Sequence, residues 1–419
     1  VLVLNNSFIA PPQYNNKGFL DMAQVSIIRH NPIAIFSNPT EVLVKDDHNH
    51  VFRLIEPSGN VGTQYPNDIG SEWFGTIENL NKNLLVCGVT WSDVYKTDVL
   101  WTTPSSNRDD CEKMKDDFNA IYRPMIDAAT GGPLRSNRMA RFTHPEGFPD
   151  PVALFEVQIK AVKGDHVTID GSKIDYGYWT DHQPSGAAVL HKRGDQVITT
   201  LGPDLVKETE FVLVEQYEKP LADQGVDFKS NTVWMEILVG VDDAPEKTWQ
   251  RIDTIRKVFE DYFGDNRPAG LIYPVSRIPN MDSIVEPQPR VVTGDVKITR
   301  SGEIEDGFST WTSIEYGGVT EVMSSAVGGD NAGHMLGTLD ARIKAAGGNG
   351  LKEDGIFNNA YVVAGDDSAA ARAWIQTFNA SFSAYYEGSA PSGRTAQFIG
   401  GIQQEAYKSG ISNRAIFAG

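Results

Sequence analysis

The sequence predicts an α+β protein made of three successive copies of one ββαβαββ unit. Three observations predict it. A helix, a short loop and a strand recur near the end of each third. The order of strand and helix patterns around that segment is the same each time. Each copy spans about 120 to 130 residues, an ordinary domain size. The recurring segment reads Asn119-Ala-Ile-Tyr-Arg-Pro-Met-Ile then Met139-Ala-Arg-Phe in the first copy. It reads Arg256-Lys-Val-Phe-Glu-Asp-Tyr-Phe then Pro268-Ala-Gly-Leu in the second, and Asn379-Ala-Ser-Phe-Ser-Ala-Tyr-Tyr then Ser392-Gly-Arg-Thr in the third. The apolar skeleton persists in all three, while the Asn and the Arg survive only in the first and third. Packing is used three times and polar chemistry fewer.

The predicted division is an arm over 1–24 and units over 25–164, 165–294 and 295–419. In the first unit a helix is expected from about Glu72 to Leu85, followed by a strand through Val94, Val99 and Trp101. Met114, Phe118, Ile121 and Tyr122 fall at helical spacing in a second helix, from about Arg108 to Ile126. Gly131-Gly132-Pro133 breaks it, and strands near 136–142 and 152–162 close the unit. The second unit opens with a hairpin turning at Gly171, then a strand over 196–201. Asp204 suits the N-cap of a helix running to about Asp223. A strand over 232–239, a helix over 245–263 and strands near 271–275 and 283–292 follow. Pro287 and Pro289 mark that last strand as an edge. The third unit repeats the order: strands near 309–315 and 320–327, a helix over 331–346, a strand over 357–363, a helix over 368–386, and strands over 393–399 and 411–417.

Each unit offers one sheet and two helices for one of its faces. The bare face needs cover, and three units can supply it to one another around a common axis as a closed trimer does. Short linkers near 163–165 and 292–294 favour that fixed packing.

The net charge of -18 argues against nucleic acid or an anionic membrane as partner, since phosphate surfaces want a basic face. No apolar run reaches the length of a membrane span. Two cysteines, Cys87 and Cys111, make no disulfide framework and point to a reducing, cytoplasmic compartment. No metal site is predicted: Cys87 reads as a buried apolar residue, and the His48-Asn-His50 pair sits in a polar turn. No nucleotide loop or other cofactor motif occurs, so no cofactor is expected.

The ordered motifs resemble those of the Rid family, the YjgF-type reactive-intermediate deaminases also called L-PSP endoribonucleases. Trp91-Ser-Asp-Val-Tyr-Lys-Thr-Asp-Val resembles the family's first element, Asn119 to Tyr122 and Asn379 to Tyr386 its helix, and Met139-Ala-Arg141 and Gly393-Arg394-Thr395 its arginine strand. Phe155-Glu-Val-Gln-Ile-Lys-Ala-Val162 resembles its last strand. The resemblance implies three chorismate-mutase-like domains arranged as an intramolecular pseudo-trimer, with ligand clefts between domains. It further implies that the arginine binds a substrate carboxylate and that the strand glutamate places the hydrolytic water. The second copy departs from the pattern, with Arg256 for the Asn and Gly270 for the Arg; the third has lost the glutamates of its last strand.

The candidate residues are therefore Arg141, Arg394, Asn119 and Asn379 for binding, and Glu156 and Gln158 for catalysis. Arginine grips a carboxylate with two parallel hydrogen bonds; its competing use is a structural ion pair at a domain boundary. Asn119 and Asn379 lie on helices, where Asn is a poor choice by propensity, so each has a loop or a substrate to bond. Glu156, if partly buried, has a raised pKa and can serve as acid or base; its plain use is a solvated edge carboxylate. Gln158 can orient a water but cannot remove its proton. The expected activity is hydrolysis of a small carboxylate-bearing imine, enamine or related cyclic amine, in clefts involving the first and third copies. The rival readings are a divergent enzyme of the same fold, resembling chorismatases or ring-opening amidohydrolases, and a non-catalytic metabolite binder. Further self-association is left open.

Overall fold

The computed structural model describes residues 22–419 apart from 34–36, 66–67, 105–106, 131–136, 144–146, 151, 172, 185–190, 194–195, 199–204, 242–244, 279–282, 330 and 365–367. The predicted arm, the Gly131-Gly132-Pro133 break and the Asp204 cap fall largely or wholly outside these residues.

The first sheet is formed by β1 (Gln24–Arg29), β2 (Thr40–Lys45), β3 (Val51–Glu56), β4 (Val94–Trp101), β5 (Asn137–Phe142) and β6 (Phe155–Gly164). Its helices are α1 (Ile69–Val86) and α2 (Arg108–Thr130). Asp68 caps α1 by accepting from the Ser71 backbone N–H at 2.8 Å. Gly88, at φ 65, supplies the left-handed turn that stops it. One face of each helix is apolar at 3.6-residue spacing: Trp73, Leu80 and Leu84 on α1, and Cys111, Met114, Phe118, Tyr122 and Ile126 on α2, all buried against the sheet.

The second sheet contains β7 (Thr168–Asp170), β8 (Lys173–Asp175), β9 (Trp179–His182), β12 (Thr232–Gly240), β13 (Ala269–Val275) and β14 (Val285–Gly294). A separate hairpin joins β10 (His191–Arg193) to β11 (Gln196–Ile198). Its helical layer comprises α3 (Leu205–Phe211), a π-helical stretch over Val212–Glu218, α4 (Lys219–Ala222), α5 (Phe228–Asn231) and α6 (Pro245–Phe263). The third sheet contains β15 (Lys297–Arg300), β18 (Trp311–Tyr316), β19 (Val319–Gly328), β20 (Gly355–Val363), β21 (Gly393–Ile399) and β22 (Ser409–Ala418). It carries α7 (Ala332–Ala345), α8 (Leu351–Asp354) and α9 (Ser368–Tyr385). Two short strands, β16 (Ile304–Glu305) and β17 (Phe308–Ser309), leave the third segment and extend the second sheet beside β13.

Counted along the chain, and leaving aside β16 and β17, each sheet has its strands in the order first, second, third, last, fourth, fifth. The fourth and fifth strands are parallel in all three. Each pairing of fourth and last strand carries a bulge at its start, between Val94 and Lys96, Thr232 and Trp234, and Gly355 and Phe357. This register aligns the sheets residue by residue: Lys160, Arg290 and Arg414 lie opposite Lys96, Trp234 and Phe357.

Two expectations need correction. Each sheet has three strands before its first helix, where the repeating unit read from sequence has two; β7 is the first arm of the expected Gly171 hairpin, while β1 and β15, short edge strands of alternately exposed and half-buried residues, were not expected. The Pro-containing β14 is interior, between β12 and β9. Its prolines are tolerated because β9 reaches only Val291–Gly294, leaving the Pro287 and Pro289 end paired on one side alone.

The faces without helices meet in one shared core. Phe52, Leu54 and Val162 come from the first sheet, Trp179 and Val292 from the second, and Tyr316, Met323 and Ile416 from the third. Charges bind the same seam. Arg290 pairs with Asp181 at 2.8 Å and with Glu321. Arg414 pairs with Glu321 at 2.6 Å and with Glu56, and Lys160 reaches Glu56 at 3.3 Å. The two guanidiniums hold the Glu321 carboxyl at about 2 despite its burial. Removing one partner from such a buried set costs about 3–5 kcal/mol, because a charge is left without its counterion.

Candidate active site between the first and third sheets

Arg394 stands on β21, where it enters the seam with the first sheet. The loop after β3 receives it: the Arg394 N–H donates to Ser58 Oγ at 2.9 Å, and the Gly59 N–H donates to the Arg394 carbonyl at 3.3 Å. The next turn of that loop is stitched to β6, since Asn60 and Val157 exchange backbone hydrogen bonds of 2.9 Å. Glu156, beside Val157, is thereby carried to the arginine.

The guanidinium is oriented from α9. Its Nη2 donates to Asn379 Oδ1 at 2.6 Å, and it lies 4.8 Å from the Phe382 ring centroid and 5.8 Å from that of Phe378. Nη1 is buried without a hydrogen-bond partner. Burial lowers the Arg394 pKa to about 10, Glu156 opposing the shift, so the group stays cationic at neutral pH.

Glu156 is 7% exposed and its Oε1 has no partner. Desolvation raises its pKa to about 8, although Arg394 and then Arg141 pull the other way. At neutral pH the carboxyl is mostly protonated. The neighbouring Thr395 Oγ1 is also buried and unsatisfied. The loop can approach this closely because residue 59 is glycine: a Cβ there would fall 1.9 Å from Glu156 Oε1 and 2.5 Å from Thr395 Oγ1. Buried polar atoms are almost always satisfied. An unpaired donor on the arginine and, beside the Gly59 turn, an unsatisfied carboxyl oxygen and hydroxyl leave this seam with buried polar groups that a small polar ligand can satisfy.

The structure thus brings Arg394, Asn379 and Glu156 together, and it places the other three candidates elsewhere. Arg141 is 1% exposed and already paired. Its Nη1 holds both oxygens of Asp98 at 3.0 and 3.1 Å, Nη2 lies 3.7 Å from Glu236, and Nε donates to Gln397 at 3.3 Å. This is the boundary ion pair that competed with a carboxylate-binding role. Asn119 lies on α2 and is not among these partners. Gln158 lines a central cavity of about 80 Å³, with Lys96, Trp234, Gln288, Asn359 and Arg414 among its neighbours, and leaves Nε2 unsatisfied there.

The register explains the misplacement of Arg141. Arg394 lies opposite Asn358, and the matching positions in the other sheets are Arg138, opposite Thr97, and Gly270, opposite Met235. Arg141 instead matches Tyr273 and Gln397. The motif alignment had slipped by three residues. On the last strands, Glu156 opposite Leu100 matches Glu286 opposite Leu238 and Gly410 opposite Tyr361. Glu286 is likewise raised, to about 7, first by desolvation. Gly270 has no room for a side chain: a Cβ would meet the Met235 carbonyl at 2.1 Å and the Phe308 ring at 2.7 Å. Sequence reasoning also missed Gly59, Ser58 and Thr395. Thr395 stood next to the arginine in the motif, whereas nothing in Pro57-Ser-Gly-Asn60 marks a cleft wall.

No family model matches the chain, and no curated protein matches it in sequence. Solved structures of similar shape include a chorismatase, at 11% identity and a TM-score of 0.41, covering 77% of this chain and 93% of that one. An L-PSP endoribonuclease-like protein from Entamoeba histolytica covers 33% of this chain and 100% of its own, at 18% identity and a TM-score of 0.23. A member of the YjgF/YER057c/UK114 family from Mycobacterium tuberculosis covers 26% and 77%, at 16% identity and a TM-score of 0.19. These are similarities of shape, and no activity follows from them.

Proposed function

We propose that the chain is an intramolecular pseudo-trimer of Rid-like domains, over 25–164, 165–294 and 295–419, that hydrolyses a small carboxylate-bearing imine or enamine at the seam of its first and third domains. The observation that carries this reading is the meeting, at the Ser58-Gly59 turn, of Arg394, whose Nη1 is buried without a partner, and Glu156, whose Oε1 is likewise unsatisfied. With Glu156 neutral the cleft holds one positive charge, which suits a monocarboxylate.

Arg394 takes the substrate carboxylate in a charge-assisted hydrogen bond, and Asn379 keeps the guanidinium in plane. Glu156 gives its proton to the imine nitrogen. The carbon then accepts a water, and the Glu156 carboxylate, steadied by Arg394, takes the proton that the water releases. Returned to nitrogen, that proton makes ammonia the leaving group; as the C–N bond breaks, the hydroxyl on carbon gives its proton to the Glu156 carboxylate, so a carbonyl compound and ammonia leave and Glu156 is protonated as at the start. Orientation and desolvation supply much of the rate, so neither metal nor nucleotide enters the scheme.

The test is ketoacid release from a 2-iminoacid generated in situ, with wild type, Arg394→Ala and Glu156→Gln. The reading requires turnover in wild type and its loss in both variants. Carboxylate binding that depends on Arg394 without any turnover would instead favour a metabolite-binding pseudo-trimer.

A further inference from the structure

Away from the cleft, three chemically different donors meet on the far side of the first sheet. His30 follows β1, Glu41 lies within β2, and Cys87 caps the C-terminus of α1. His30 Nε2 is 3.0 Å from Glu41 Oε2, and both lie within 4.8 Å of Cys87 Sγ. Glu41 and Cys87 are buried and His30 is partly exposed. The expectation that Cys87 is merely a buried apolar residue does not account for the imidazole and carboxylate gathered at its sulfur.

We propose that His30, Glu41 and Cys87 form a three-ligand site for a borderline divalent transition ion of the zinc type. One nitrogen, one oxygen and one sulfur is a donor set that zinc accepts, whereas calcium and magnesium prefer oxygen alone. Ligation at about 2.0–2.3 Å asks the donors of a tetrahedral site to lie about 3.3–3.8 Å apart, so small side-chain adjustments suffice. The exposed side of His30 leaves the fourth position to water.

Arg53 fits the scheme as an outer partner of the ligand carboxylate. Its Nη1 lies 3.5 Å from Glu41 Oε1, the oxygen turned away from His30, and 3.1 Å from the Cys87 carbonyl. It thus ties β3 to two of the three ligand residues. Thr40, next to Glu41, accepts through Oγ1 from the Gly393 N–H at 2.8 Å, immediately before Arg394. A bound ion would therefore brace β1, β2 and α1 beneath the cleft without touching its chemistry.

The experiment is titration of the metal-free full chain with cobalt(II), followed by zinc competition. The expected result is one equivalent bound, with a thiolate-to-cobalt charge-transfer band in the near ultraviolet that zinc removes. Cys87→Ser should abolish the band, and His30→Ala should weaken binding at least tenfold. His30 is partly exposed, so that variant tests the site even if the buried Cys87→Ser substitution impairs folding. A cobalt spectrum lacking the thiolate band, or affinity unchanged in His30→Ala, would overturn the proposal.

Discussion

Glu156 offers the most direct test of the cleft, because its burial should be readable as a pH dependence of stability. An unfolded glutamate titrates near 4.5, and the folded one at about 8. Between those values the folded chain holds a proton that the unfolded chain has released. The stabilising contribution is therefore complete below about 4.5 and is lost as pH rises towards and through 8. At about 1.36 kcal/mol for each pH unit, the ceiling is about 5 kcal/mol. Glu156→Gln keeps the shape and removes the titration. The assay is urea denaturation of both proteins at steps between pH 5.5 and 9. Glu72 and Glu286, also raised to about 7, are present in both, so the difference between the two curves isolates Glu156. We expect the variant to gain on wild type as pH rises, by up to about 1.4 kcal/mol for each pH unit. The protonated carboxyl starts the proposed reaction, so wild-type kcat/KM should fall through about 8. Parallel stability curves for the two proteins would show that Glu156 is solvated and would remove the acid from the mechanism.

The two arginines should separate cleanly. Arg394→Ala should weaken binding of a small monocarboxylate about 10- to 100-fold by calorimetry, the worth of a hydrogen bond to a charged group. Arg141→Ala should instead cost about 3–5 kcal/mol of stability, since Asp98 and Glu236 would lose their buried counterion. Gly59→Ala should abolish turnover while Arg394 still reports a folded seam by protection of its amide, because the new Cβ would take the place next to Glu156 Oε1.

Much of the fold was legible because helix and strand periodicities differ and Gly and Pro punctuate them. The helix over 245–263 and the strands over 94–101 and 393–399 were read with the boundaries observed. They are long and flanked by turn residues. Of the front edge strands, β7 was read as the first arm of the Gly171 hairpin, because a glycine turn marks it; β1 and β15 were not, since each is short and turns only a few half-buried apolar residues inward. Nor could sequence show that β14 is interior: a proline forbids a hydrogen bond on one side only, and whether that side has a neighbour is a tertiary fact.

The site was half legible for a related reason. Arg394 and Arg141 both follow small residues on strands after equivalent helices, and a motif cannot tell which of two nearby arginines a strand turns toward a cleft. The register can. Arg394 enters opposite Asn358, beside a loop whose glycine admits Glu156, and finds a neutral carboxyl that leaves its charge unspent. Arg141 sits three positions further along than its supposed counterpart and meets the carboxyls of Asp98 and Glu236, which hold its donors inside the fold. A buried arginine becomes a ligand-binding group only when the acid nearest to it is kept from ionising. That condition is set by desolvation across two sheets distant in sequence, and it distinguishes the two arginines.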